Sequence, residues 1–375
     1  MNKIYFDNAA TTALRPEVID AIVESLRNDF GNPSSTHAYG RSAKSSIELA
    51  RKSIANLLGC TANEIIFTSG ATEANNWIIR SAVRDLKLQR IISSKMEHHA
   101  VLYAVKEIAQ EYGIELVFVD NDKNGHINLQ QLAELLQDKK QTLVSLMHIN
   151  NETGCILPID EVAQLIKENG AYFHSDTVQS VGKLKIDLQQ TPVDFITASA
   201  HKFHGPKGIG FAFFRKGLLT NPIFFGGEQE KGLRAGTESV HNIVGMQKAL
   251  ELAYERHDEE KAHITELKSY FISRLREVYG ESAHIHGHEN TLYNLVNVGL
   301  PISQEKASML LFMLDMKGFA ISRGSACQSG SPKPSHVLAE MLDDETIKFP
   351  NLRVSFSHDN TREEIDLLVS ELQKL

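Results

Sequence analysis

The stretch VDFITASAHKFHGPKGIGFAFF sets Lys202 between His201 and His204, at the end of one apolar run and ahead of a Gly-Pro turn. Residues 193–200 and 208–214 read as two strands meeting through that stiff turn. An amine held at the end of a strand is a nucleophile if burial lowers its pKa and leaves it neutral. Asp176 follows another apolar run in AYFHSDTVQSVGK. Alone it would cap a turn, but neighbouring parallel strands would aim Asp176 and Lys202 into one cleft. SGATEANN also follows a strand and opens a helix. Its small residues leave backbone N–H groups bare and Thr72 adds a hydroxyl, either as a phosphate seat or as ordinary helix caps. Lysine, carboxylate and phosphate cradle are what pyridoxal phosphate requires: a Schiff-base amine, a partner for the pyridine nitrogen and an anion site.

Other groups carry weaker signals. In MEHHA, His98 or His99 suits a place against the cofactor ring better than a shared metal, because adjacent residues at a helix start point apart. HIHGHE (His284, His286, His288) alternates like a strand, but no cysteine or carboxylate pattern completes a metal site, so a polar edge is expected and no metal. FGGEQEKGLRAGTES offers Arg234 and Thr237 as anion contacts or a plain loop. In SRGSACQSGSPKPSH, Cys327 lies among small residues, unlike an inert core cysteine. Arg353 in NLRVSFS is a fork for a substrate carboxylate.

From about residue 60, short β-rich runs alternate with helical patterns, the mark of a mainly parallel sheet covered by helices. Beyond about residue 245 the texture changes. A long helical stretch covers residues 243–278, and TLYNLVNVGL, GFAIS and NLRVSFS read as strands of a separate α+β lobe. The expected division is a large domain over 15–260 and a small one from 1–14 with 261–375. The 375 residues are 42% hydrophobic and 23% charged, with net charge −8. That acidic balance argues against nucleic acid or an anionic membrane as partner. No apolar run approaches a membrane span, and the N-terminus shows no signal-peptide core. Three scattered cysteines suit a reducing cytoplasm.

The chain resembles the cysteine desulfurases of the NifS/IscS type, class V relatives among fold-type I pyridoxal-phosphate enzymes. The resemblance rests on GNPSSTHAYGR, TSGATEANN, EHHAV, NNETG, SDTVQSVGK, SAHKFHGPKGIG, RAGTES and SRGSAC, in the family's order. It implies a fold-type I α/β large domain with a mainly parallel seven-stranded sheet, plus a smaller α+β domain carrying the cysteine loop. By resemblance, Lys202 holds pyridoxal phosphate, Asp176 pairs with its ring nitrogen, Gln179 contacts the ring hydroxyl and Asn151 lies near it. His98 stacks on the ring and moves protons. Ala71, Thr72, Ser199 and His201 contact the phosphate, and Thr237 is offered to the partner's phosphate in a homodimer. Arg353 holds the carboxylate of L-cysteine, and Cys327 takes its sulfur as a persulfide while alanine leaves.

The sulfur would pass to a protein acceptor in iron–sulfur cluster assembly or in tRNA or cofactor thiolation. Scaffold-docking members carry a longer C-terminal tail than this chain, which favours another acceptor. Arg323 stands where a second serine is common and is expected to lower the Cys327 thiol pKa. The alternatives are a selenocysteine lyase or another class V enzyme and, outside enzymes, a silent scaffold relative.

Overall fold

The computed structural model describes residues 3–218, 221–324 and 335–375. Its strands are, in chain order, β1 (Ile4–Tyr5), β2 (Ile65–Thr68), β3 (Arg90–Ser93), β4 (Glu115–Phe118), β5 (Thr142–Ser145) and β6 (Tyr172–Asp176). After them come β7 (Phe195–Ser199), β8 (Gly210–Phe214), β9 (His284–His286), β10 (Leu295–Gly299), β11 (Phe319–Ala320) and β12 (Asn351–Ser355).

A seven-stranded sheet has the order β2-β8-β7-β6-β5-β3-β4. Pairs β3–β4, β3–β5, β5–β6 and β6–β7 are parallel, while β8 runs antiparallel to β2 and β7. The α/β, mostly parallel expectation therefore holds. The turn after Lys202 is too short for a crossover, so it reverses the chain and gives the one inverted strand. Every residue of β2, β3, β5, β7 and β8 is buried, as a sheet covered on both faces demands. One face packs Val18, Ile47, Ile54, Phe211 and Met246, and the other Trp77, Val101, Phe195 and Phe214.

A second sheet, β12-β10-β9, is antiparallel, and β1 pairs in parallel with β11. Its core joins Ile4 and Phe6 from the start of the chain to Phe271, Val296, Val354 and Leu368. The helical stretch expected over 243–278 is two helices, Val240–Glu255 and His257–Tyr279, broken at Arg256. At the break, His257 Nε2 donates to the Lys183 carbonyl at 3.0 Å. HIHGHE does supply an edge strand, β9, where His286 Nε2 meets Asn351 Oδ1 at 2.7 Å.

Candidate active site

The carboxyl ends of β2, β6 and β7 open on one cavity of about 250 Å³, the place where open α/β sheets bind ligands. β8 squeezes in between β2 and β7 only because its first residue is Gly210. A Cβ there would lie 2.2 Å from the Ala198 carbonyl oxygen and 2.8 Å from the Gly70 Cα. Gly70 itself has φ +151°, which starts the fifteen-residue helix Ala71–Asp85. The Ala71 N–H donates to Ser199 Oγ at 2.8 Å, and Ala71, Thr72, Ser199 and His201 all line the cavity. The helix N-terminus brings a partial positive charge to this wall.

Lys202 follows β7 directly and also lines the cavity. It is half-buried rather than buried as the sequence suggested. Its Nζ donates to the carbonyls of Ala9 (2.8 Å) and Ala10 (2.9 Å). The turn behind it is stitched to the same N-terminal segment: His204 N–H donates to Thr12 Oγ1 at 2.7 Å, and His204 takes φ +66°. Gly205 is needed because a Cβ would come within 2.8 Å of Ala200 Cβ.

Asp176 ends β6 in the same cavity. Its Oδ2 accepts from Asn75 Nδ2 at 2.8 Å and its Oδ1 from the Val178 N–H at 3.0 Å. Asn75 Oδ1 in turn accepts from His174 Nε2 (3.0 Å) and Thr197 Oγ1 (2.9 Å), and Ser145 Oγ donates to His174 Nδ1 (2.8 Å). Burial pushes His174 down to about 3, so the ring is neutral and this donor pattern is fixed.

His98 lines the cavity, whereas His99 stacks outside it between Tyr103 (4.7 Å) and His336 (4.4 Å). His98 is the N-cap of the helix His99–Tyr112, and its Nδ1 accepts from the Ala100 N–H at 3.1 Å. Its neutral ring therefore carries the proton on Nε2. Burial lowers its pKa, with the Lys202 and His336 charges adding and Asp176 opposing.

Arg353 in β12 closes the cavity opposite the large sheet. The expected open fork is already anchored: Nη1 donates to the Asn151 carbonyl and Nη2 to Asp7 Oδ1, both at 2.9 Å. Arg353 Nε and Asn151 Oδ1 are buried with no hydrogen-bond partner among the described residues. A donor and an acceptor left unpaired on residues that line the cavity point to a polar ligand. Together with the amine, the carboxylate and the helix N-terminus, they fit pyridoxal phosphate bearing an amino acid.

Thr237 lies outside this cavity, exposed on its loop. Arg234 is not free for an anion; it forks onto Glu73 at 2.9 and 3.1 Å. Arg323 donates to the Ala307 carbonyl at 3.4 Å. Cys327 lies outside the described residues, and the expectation for Arg323 toward it goes with it. One flank of that segment is tied down: Ser335 Oγ donates to the Glu152 carboxylate, next to Asn151, and a Cβ at Gly324 on the other flank would crowd the same carboxylate. His126, His288 and Glu289 bring ligand-type atoms within 4.8 Å of one another. The His126 and His288 Nδ1 atoms are already engaged by Asp122 Oδ2 (2.9 Å) and the Asn290 N–H (3.0 Å).

Sequence reasoning missed Asn75, which sits in the quoted TEANN but inside a helix. It also missed Glu97, whose Oε1 accepts from the Met147 N–H at 2.7 Å. Burial, with the Asp176 charge adding, raises the Glu97 carboxyl well above its ordinary range.

This fold and this arrangement define a class. The chain belongs to the class-V aminotransferases, whose family model matches residues 4–368. Within that class it falls among the cysteine desulfurases, which depend on pyridoxal phosphate. It is 40% identical over 379 residues to the cysteine desulfurase IscS of Dictyoglomus turgidum, covering 100% of this chain and 94% of the relative. A solved NifS-like protein superposes with TM-score 0.91 at 36% identity, covering 99% of this chain and 98% of that one. SspA, solved in complex with cysteine, superposes with TM-score 0.82 at 30% identity, covering 96% and 100%.

Proposed function

We propose that the protein takes sulfur from L-cysteine onto Cys327 and releases L-alanine, with the cavity between Lys202, Asp176 and Arg353 as its active site. The observation that carries this is the convergence of an amine, an oriented carboxylate, a helix N-terminus and an anchored guanidinium on one cavity. The neighbour solved with cysteine supports the substrate. Pyridoxal phosphate, when bound, is an electron sink for the carbon next to the substrate amino group.

Lys202 would hold the cofactor covalently, and the carbonyls of Ala9 and Ala10 give its amine a resting place whenever it is free. Asp176 keeps the ring nitrogen protonated, and Asn75 and the Val178 N–H hold it in position for that. Gln179 and Asn151 would meet the ring oxygen, and Ala71, Thr72, Ser199 and His201, which line the cavity, would receive the phosphate. His98 exchanges a proton at Nε2, since Nδ1 is committed to its helix. Arg353 binds the carboxylate of the substrate, with Asp7 and the Asn151 carbonyl fixing the plane of its guanidinium. The Cys327 thiolate would bond to the substrate sulfur as the C–S bond breaks, and the electron pair of that bond stays with the carbon fragment, which takes up a proton and leaves as alanine. The hydrogen bond from Ser335 Oγ to the Glu152 carboxylate, beside Asn151, supports that reach.

The working unit is a homodimer, with Thr237 offered across to the partner's phosphate. Exposed Ile19, Leu26, Phe30, Tyr39 and Phe225 supply apolar surface for it. Residues 15–260 act as the large domain, and 1–14 with 261–375 as the small one. The persulfide passes to a protein acceptor of cluster assembly or thiolation in the cytoplasm, where thiols stay reduced. No helix among the described residues is long and apolar enough to cross a membrane. The test is to incubate the purified protein with L-cysteine and a reductant and to measure alanine and sulfide beside Cys327→Ala. Equal alanine and sulfide from the parent and neither from the variant is the expected result. No alanine from a cofactor-loaded parent refutes the reading.

A further inference from the structure

Behind the cavity wall lies a lysine to which the reaction gives no role. Lys183 is buried, and its ammonium makes no ion pair among the described residues. Its Nζ donates to Gln179 Oε1 at 2.9 Å and to the Gln179 carbonyl at 3.4 Å. Gln179 lines the cavity, and its Nε2 donates to the Ala9 carbonyl at 2.9 Å. That carbonyl also receives Lys202 Nζ. An unbroken array thus runs from Lys183 through Gln179 and Ala9 to Lys202.

The chemistry of the array leaves one orientation for the Gln179 amide. An ammonium only donates, so the end of the amide it meets must be oxygen. A carbonyl only accepts, so the end on Ala9 must be nitrogen. Nε2 then has one further N–H to offer the cavity, polarised by the cation bonded to the other end. Without Lys183, only the Ala9 carbonyl, which Lys202 Nζ also shares, opposes an amide that turns its oxygen toward the ligand. Burying an unpaired ammonium is costly, and a fold that keeps one here gains something other than stability.

We propose that Lys183 is a positioning residue of the cofactor site: it locks the Gln179 carboxamide nitrogen-first, so that this wall accepts an anionic ligand oxygen. The inference rests on the reading of the cavity as the pyridoxal phosphate seat, whose ring oxygen is the anion concerned. Lys202, His201 and His204 are the charged or titratable groups that feel Lys183, and His257 anchors its carbonyl. Burial lowers His201 to about 4 and His204 to about 3, so both are neutral, and His257 meets the Lys183 carbonyl rather than its amine. Burial, then the charge of Lys202, brings the Lys183 amine down to about 7, so the charged lock is complete below that pH, and above it the neutral amine still donates an N–H to Gln179 Oε1.

The experiment is a double-mutant cycle read by light. Holoenzyme is prepared from the parent, Lys183→Met, Gln179→Ala and the double variant, and the absorbance of bound pyridoxal phosphate is followed against pH. Lys183→Met is expected to raise the titration midpoint of the bound cofactor by about one pH unit, since the anionic form loses its support. Gln179→Ala raises it as well, and the double variant matches Gln179→Ala, because Lys183 acts only through Gln179. An unmoved midpoint in Lys183→Met, or shifts that add in the double variant, overturns the inference. If Lys183→Met does not fold, Lys183→Gln, which keeps a donor without the charge, takes its place. A smaller upward shift supports the proposal and none refutes it. A parent that retains no cofactor absorbance fails at the reading of the cavity itself, a result distinct from an unmoved midpoint.

Discussion

Replacing Asn75 by aspartate leaves volume unchanged and puts a carboxyl oxygen where an N–H now meets Asp176 Oδ2 at 2.8 Å. His174 and Thr197 still have an oxygen to donate to, so the perturbation is confined to one contact. Both residues are buried, and two carboxylates this close cannot both ionise. The new acid therefore keeps its proton until about pH 7, roughly three units above the value of about 3.9 in the unfolded chain. Above about pH 4 the unfolded chain binds fewer protons than the folded one, so the variant loses stability as pH rises. At about 1.4 kcal/mol per unit the loss is about 1.5 kcal/mol at pH 5 and about 4 kcal/mol above pH 7. Between pH 5 and 8 the variant should fall behind its parent by about 2.5 kcal/mol, or about 3 °C in Tm for a chain of this length. Thermal unfolding of the cofactor-free proteins at the two pH values measures this. Parallel pH profiles for parent and variant would refute the placement of Asn75 against Asp176.

Three further outcomes are expected. Lys202→Ala should lose the cofactor on dialysis, and a visible absorption band that survives would show that the amine is not its tether. Arg353→Lys gives up the paired contacts to Asp7 and Asn151, so KM for L-cysteine should rise about 10–100-fold with a smaller change in kcat. Arg51→Met strands the Glu230 carboxylate, which now accepts two guanidinium bonds at 2.7 Å and the Phe67 N–H at 2.9 Å. The cost should be about 3–5 kcal/mol, largely recovered in Arg51→Met with Glu230→Met, and a melting curve close to the parent's contradicts it.

The residues proposed to do chemistry were legible where they interrupt a pattern. Lys202 and Asp176 each end an apolar run, and a charge in that place has few structural uses. The Ser-Gly-Ala-Thr run announces a helix start by the same logic. Asn75 gave no such signal, because a polar residue inside a helix reads as solvent-facing unless the fold turns it onto the sheet. Lys183 was hidden for the opposite reason. In SVGK it looks like any surface lysine, and only the packing of the break at Arg256 and the Gln179 side chain shows that it is enclosed. The alternation of runs revealed the α/β sheet but not the inversion of β8, which depends on turn length. Arg353 was recognisable as a fork, while its anchors on Asp7 and Asn151 come from residues far away in sequence.

The lacing of the first dozen residues has a consequence for how the molecule is made. Ala9 donates its N–H to Ser355 Oγ, 346 residues further along, and Asn8 Nδ2 donates to the Ser355 carbonyl. The segment that cradles the Lys202 amine therefore emerges from the ribosome 346 residues ahead of Ser355 and finds its place last. At about 5–20 residues per second it waits about 20–70 s for its partner strand to be synthesised. Through that interval the large sheet can form, but its cavity has no floor under the lysine, and the nascent chain carries an open site in place of an active one.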